Sequence, residues 1–137
     1  MSRIYLDACI LIYLVEAASP FHAIVARRLL QHQADPASRL VTSRLSCLEC
    51  RMRPIRDNDR ELLSAFDRLF SANRMVIVEI TAEVVASATN LRARYGFKTP
   101  DAIHLASAIE GKADLFLTGD STLARCADIA VEVIADA

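Results

Sequence analysis

Glycine and proline are scarce, with 3 and 4 among 137 residues. That scarcity excludes collagen-like, linker-rich and disordered chains. There is no low-complexity run and no internal repeat. The longest apolar run, Ala8 to Val15, is far shorter than the ~20 residues of a membrane-spanning helix. A signal-peptide layout is missing as well, because Asp7 interrupts any apolar region near the start. The expected location is the cytoplasm. Neither charge dominates: the net charge is −1, which excludes a strong attraction of the whole surface for nucleic acid. Lys98 and Lys112 are the only lysines.

The four cysteines, Cys9, Cys47, Cys50 and Cys126, lack the company that would give them chemistry. Cys47 and Cys50 form a CxxC, but no second CxxC or HxxxH follows to complete a zinc site. The pair lies inside a helical pattern rather than at a strand-to-helix turn, which argues against redox chemistry. Reduced, mostly buried thiols are expected.

What the chain does have is apolar mass and well-placed acids. It is 53% hydrophobic with a mean hydropathy of +0.26, enough for a core in a domain of this length. A strand is expected at Arg3 to Leu6 and a helix at Ala8 to Glu16. An amphipathic helix follows over Phe21 to His32, where Ala23, Ile24, Ala26, Leu29 and Leu30 recur at helical spacing. Leu40 to Thr42 reads as the second strand. Ser43 is the expected N-cap of a helix through about Met52, ending before Pro54. Asp57 to Ala72 reads as helix and Met75 to Ile80 as strand. Thr81 caps a helix that ends near Gly96. Thr99, Pro100 and Asp101 open another, with Thr99 as N-cap and Pro100 at the first helical position. A strand at Leu115 to Thr118, a short helix at Asp120 to Cys126 and a strand at Val131 to Ile134 complete the chain. Alternating strands and helices predict α/β architecture, a parallel sheet covered on both faces.

Four acids sit within or just beyond apolar stretches: Asp7 in YLDACILIYL, Glu49 in TSRLSCLECR, Asp101 in KTPDAIHLA and Asp120 in LFLTGDSTLA. A lone carboxylate beside a core costs free energy unless something pairs with it. Asp7 and Asp120 fall at the carboxyl ends of strands, where parallel sheets bind ligands. Asp101 falls in the first turn of a helix, which favours an anion. All four can therefore face one end of the sheet. Asp114 precedes its strand, about 13 Å from Asp120 by strand rise, and reads as a strand-entry residue. A hard divalent cation would turn mutual repulsion into coordination. The chemistry that fits is in-line hydrolysis of a phosphodiester by water, with no Ser or Cys nucleophile. Each acid also has a plainer reading. Asp101 suits a helix first turn, Asp120 a turn or N-cap, and Glu49 a surface pair with Arg53 four residues on.

Arginine supplies most of the positive charge, and it is unevenly spread. Residues 39 to 56 hold five Arg and one acid, whereas residues 99 to 137 hold two bases and seven acids. Arg44 and Arg51 are candidates for contacts with substrate phosphates beside the acidic cluster. His104 follows Asp101 by three residues and can share its helix face. From there it could reach the metal site or touch RNA, but a packed or capped helix residue is the plainer reading, since an oxygen-rich site favours carboxylates over imidazole.

These motifs, taken together and in order, resemble those of PIN-domain ribonucleases, above all the VapC-type toxins of bacterial toxin–antitoxin pairs. The likeness rests on YLDACILIYL, on Glu49 in a helix after a strand, on TPDAIHLASAI and on LFLTGD, and it spans nearly the whole chain as one domain, 1–137. It implies a three-layer α/β/α sandwich around a short parallel sheet. It also implies an acidic quartet of Asp7, Glu49, Asp101 and Asp120 binding Mg²⁺ or Mn²⁺, with Thr118 holding the last acid or a water. An RNA substrate, a homodimer and a tightly binding antitoxin are implied too. The apolar surface such a partner needs could come from the first two helices, Ile10 to Leu30. Two positions depart from the pattern: Ala8 stands where Ser or Thr is common, and Gly119 where Asn is common. Neither removes a ligand. A rival reading is a catalytically silent PIN-like module that binds RNA or a partner. An aspartyl-phosphate phosphatase is disfavoured, because position 9 is Cys rather than a second Asp.

Overall fold

The computed structural model describes residues 2–134. Among them are five strands: β1 (Arg3–Leu6), β2 (Arg39–Ser43), β3 (Met75–Val78), β4 (Leu115–Thr118) and β5 (Val131–Val133). The helices are α1 (Ala8–Val15), α2 (His22–Gln33), α3 (Arg44–Arg56), α4 (Arg60–Phe70), α5 (Ala82–Tyr95) and α6 (Thr99–Glu110), with a 3₁₀ helix at Ser121–Arg125. The strands form one sheet in the order β3-β2-β1-β4-β5, parallel throughout.

Strand alternation divides the core between the two faces. Tyr5, Val41 and Phe116 point to the face covered by α5 and α6, where Val84, Leu91, Leu105 and Ala106 meet them. Ile4, Leu6, Leu40 and Leu117 point to the other face, against Ile10 and Leu11 of α1, Val25 and Leu29 of α2, and Phe66 of α4. Helices on both faces of a short parallel sheet make the expected α/β/α sandwich. No helix among the described residues is long and apolar enough to cross a membrane.

Several boundaries differ from expectation, each for a local reason. Helix α3 runs through Pro54 to Arg56. A proline lacks one donor and disturbs only the turn before it, and here that turn lies close to the helix end. Pro54 is buried, Asp59 N–H donates to its carbonyl at 2.8 Å, and Asn58 ends the turn at φ 54°. The left-handed region is one that Asn tolerates better than most residues. Because the chain after α3 is used to close it, α4 starts at Arg60, with Asp59 as N-cap accepting from Leu62 N–H at 3.1 Å. Ser43 occupies the N-cap position of α3 but makes no side-chain cap bond, and its hydroxyl has no partner among the described residues. Helix α6 starts one residue early: Lys98 is the N-cap, and Thr99 is already helical. Pro100 is accommodated there because the first-turn N–H groups have no intrahelical acceptor. Thr81 and Gly96 bound α5 as expected, Gly96 at φ 75°.

Candidate active site

In the strand order β3-β2-β1-β4-β5, the chain leaves β1 toward β2 on one side, and later elements fill the other side with β4. The crevice at such a reversal, beyond the carboxyl ends of the strands, is where parallel α/β sheets bind ligands. Asp7 follows the last residue of β1, and Asp120 lies two residues past β4.

Asp7 is the N-cap of α1 and is 8% exposed. Its Oδ1 accepts from Ala8 N–H at 2.9 Å, and its Oδ2 accepts from the Thr118 hydroxyl at 2.7 Å. Its backbone N–H donates to Leu117 O at 3.1 Å, tying the acid to β4. The same Thr118 oxygen accepts from Asp120 N–H at 3.1 Å. Thr118, fully buried, therefore links the first acid to the last, but its hydroxyl holds the carboxylate of Asp7 and only the backbone of Asp120, whereas the resemblance implied a hold on the last acid or a water. Asp120 is also the N-cap of the 3₁₀ helix, its Oδ1 accepting from Thr122 N–H and Oγ1. The plain N-cap reading of Asp120 thus holds alongside its position at the sheet end.

Asp101 lies in the first turn of α6. Its carboxyl is held above the ordinary carboxylate range, first by burial and then by the charges of Asp7 and Asp120. Asp101 thus lies within range of the charges of Asp7 and Asp120, which are themselves separated by nearly the whole chain.

Glu49 joins from α3, by a route the sequence did not suggest. Its partner is not Arg53, which pairs instead with Glu16 of the chain after α1 at 2.9 Å. Glu49 Oε1 lies 2.5 Å from His104 Nε2, and Asp7 Oδ1 lies 3.6 Å from the same nitrogen. His104 is 2% exposed, and its Nδ1 is 2.7 Å from the Tyr5 hydroxyl. It is a packed helix residue, as its position suggested, and it is also the contact between two of the acids. The spacing Asp101 to His104 was the available signal for this; nothing in the sequence marked Tyr5.

Among the described residues, no three His, Cys, Asp or Glu side chains converge closely enough to hold an ion as they stand. Both Asp7 oxygens accept from protein donors, and Glu49 engages His104 through one oxygen only. The composition of the group nevertheless suits a hard divalent cation. Its donors are carboxylate oxygens, the ligands such an ion takes, and it would offset their like charge.

Both candidate phosphate-binding arginines are paired, Arg44 being exposed and Arg51 half-buried. Arg44 donates to Glu79 at 3.0 and 2.6 Å, and Arg51 to Asp67 at 2.9 Å. Asp114 is the strand-entry residue expected, accepting from Arg3 N–H at 2.8 Å. The cysteines are free, with Cys50 and Cys126 buried. Burial, and then the charge of Asp7, pushes the Cys9 thiol up to about 11, so it is not a ready nucleophile.

A model of the PIN domain family matches residues 4–129. No curated protein matches the chain significantly. Similar solved structures include VapBC2 from Rickettsia felis bound to a promoter DNA fragment, at 15% identity and TM-score 0.75, covering 96% of this chain and 98% of that one. Another is VapC20 of Mycobacterium tuberculosis, a sarcin–ricin loop cleaving toxin, at 16% identity and TM-score 0.72, covering 89% and 93%. A third is a toxin–antitoxin complex from Klebsiella pneumoniae, at 20% identity and TM-score 0.66, covering 98% and 99%.

Proposed function

Because this chain belongs to the PIN-domain family, we propose that it is a divalent-metal-dependent endoribonuclease, the toxin of a toxin–antitoxin pair. The observation that carries this reading is geometric: Thr118 bonds Asp7 and the backbone of Asp120 at the carboxyl ends of β1 and β4, and His104, on the helix that opens with Asp101, touches both Asp7 and Glu49. The toxins and toxin–antitoxin complexes among the similar folds support it.

Asp7, Glu49, Asp101 and Asp120 would hold Mg²⁺ or Mn²⁺. When bound, such an ion offsets the negative charge of the site and makes a nearby water more acidic. The chain's own part is to present these acids at one edge of a rigid sheet. Thr118 fixes the direction of Asp7 and the backbone of Asp120. Direct attack of water on phosphorus leaves a 5′-phosphate and a 3′-hydroxyl. Arg44 and Arg51 of α3 would meet the RNA backbone by exchanging their present carboxylate partners for phosphates. The whole chain, 1–137, acts as one domain and pairs as a homodimer. An antitoxin restrains it, drawing on apolar surface of α2 such as Leu30, which is 68% exposed, whereas Ile10 is fully buried and takes no part.

The test is cleavage of total RNA by the purified protein, with and without Mn²⁺, beside an Asp7→Asn variant. Metal-dependent cutting that the variant lacks, with 5′-phosphate ends on sequencing, supports the reading. Equal cutting by both proteins sinks it, and no cutting by either favours a silent RNA-binding module.

A further inference from the structure

His104 lies one helical turn after Asp101, so a single short helix carries both an acid of the site and the ring that touches two others. A carboxylate only accepts hydrogen bonds, so the nitrogen 2.5 Å from Glu49, Nε2, carries the hydrogen. In the neutral ring the other nitrogen must then accept, and the Tyr5 hydroxyl, 2.7 Å away, is the donor. Were the ring charged, Tyr5 would accept instead, and the bond to Glu49 would be unchanged. Tyr5 itself does not move freely. It is fully buried on β1 and stacks on Phe116 with ring centroids 5.0 Å apart.

Glu49 has an alternative. It sits mid-helix with its side chain one-third exposed, and Arg53 is one turn away. That it turns inward is the work of the imidazole. The bond engages Oε1 and leaves Oε2 without a protein donor among the described residues. Long side chains lose considerable rotamer freedom on being fixed, so a ligand held in advance binds an ion at smaller entropic cost.

We propose that His104, anchored by Tyr5, is a positioning residue that holds the Glu49 carboxylate, with Asp7 beside it, in the pose from which the cluster takes up a divalent cation. The proposal rests on the metal-site reading above, and its test separates the two. Mn²⁺ binding is measured by calorimetry for the wild type, His104→Asn and His104→Gln, with thermal melts of each. Asn places an amide near Nδ1 and reaches Tyr5 but not Glu49. Gln carries a donor out to the position of Nε2. The expected result is a loss of about ten- to a hundredfold in Mn²⁺ affinity for Asn, and recovery of most of it with Gln, although both variants melt below the wild type. Unchanged or tighter binding by Asn, or the same loss in both variants, overturns the proposal while leaving the metal site standing. A wild type that takes up no Mn²⁺ overturns both. If His104→Asn does not fold, Tyr5→Phe examines the same chain of contacts with the aromatic stacking kept. Weakened Mn²⁺ binding supports the proposal and unchanged binding overturns it.

Discussion

The Thr118 hydroxyl donates to Asp7 across 2.7 Å, from the last residue of one central strand to the residue just past the end of its neighbour. Because Thr118 is fully buried and also accepts from Asp120 N–H, removing its oxygen strands two polar groups together. Thr118→Val, close to isosteric, should destabilise the domain by about 1–3 kcal/mol. Thr118→Ser should cost less. Urea denaturation of the two variants measures the difference, and equal midpoints would deny the hydroxyl this role.

Asp101→Asn should reduce RNA cleavage by at least about a hundredfold, beyond the ten- to hundredfold usual for groups that only support a metal ligand. It should not unfold the metal-free protein. Burial and two neighbouring acids raise the Asp101 carboxyl, so the folded state holds its proton more tightly than the unfolded chain does. Its charge therefore weighs against the fold once the pH exceeds the ordinary carboxylate range. The metal-free variant should melt at the same or a higher temperature at pH 7, with the gap closing in acid.

Arg44→Ala and Arg51→Ala should weaken RNA binding and flatten its dependence on salt. For single-stranded RNA, each phosphate that an arginine no longer neutralises lowers the slope of log affinity against log salt by about 0.7. Fluorescence titration at several ionic strengths gives the slope. If it stays at the wild-type value, these side chains serve only Glu79 and Asp67.

Asp128 closes the far end of α5, accepting from Arg94 and from the Tyr95 hydroxyl at 2.8 Å. The Arg94 bonds, then that of Tyr95, hold its carboxyl below the ordinary range. A lowered carboxyl stabilises the fold above its unfolded value and loses that effect as the pH falls through the folded one. Asp128→Asn should therefore melt below the wild type at pH 7, by a margin that shrinks in acid and in high salt. A margin independent of pH would assign the effect to packing.

Phe66 is the buried residue of α4, packed in the cluster that also holds Ile10, Leu11 and Cys50. Phe66→Ala should cost about 3–5 kcal/mol, read from the urea midpoint. A cost well below that range would mean that α4 adds little to this face.

How much of this was legible in the chain depends on the range of the forces involved. Strands bounded by Asp7, Ser43 and Thr118 follow from short apolar runs and local turn chemistry, and the structure keeps them within a residue or so. The passage of α3 through Pro54 was not legible, because what makes it tolerable is distant packing and the later turn at Asn58. At the site, the grouping of Asp7, Asp101 and Asp120 was readable from strand ends and a helix start. The partner of Glu49 was not: an Arg at four-residue spacing is the local choice, whereas His104 is 55 residues away and reaches Glu49 only after α6 docks on the sheet. Long-range polar contacts inside a fold leave little trace in the sequence nearby.

The parallel pairing of β1 with β4 joins Leu6 to Leu117, so the central seam of the sheet is among the last to be completed as the polypeptide is synthesised. A nascent chain that has emerged only as far as α6 already exposes Asp7, Glu49 and Asp101, but it lacks the strand carrying Thr118 and the acid beyond it. Any cutting power must wait until β4 and Asp120 have emerged, so fragments that stop short of them would be inert.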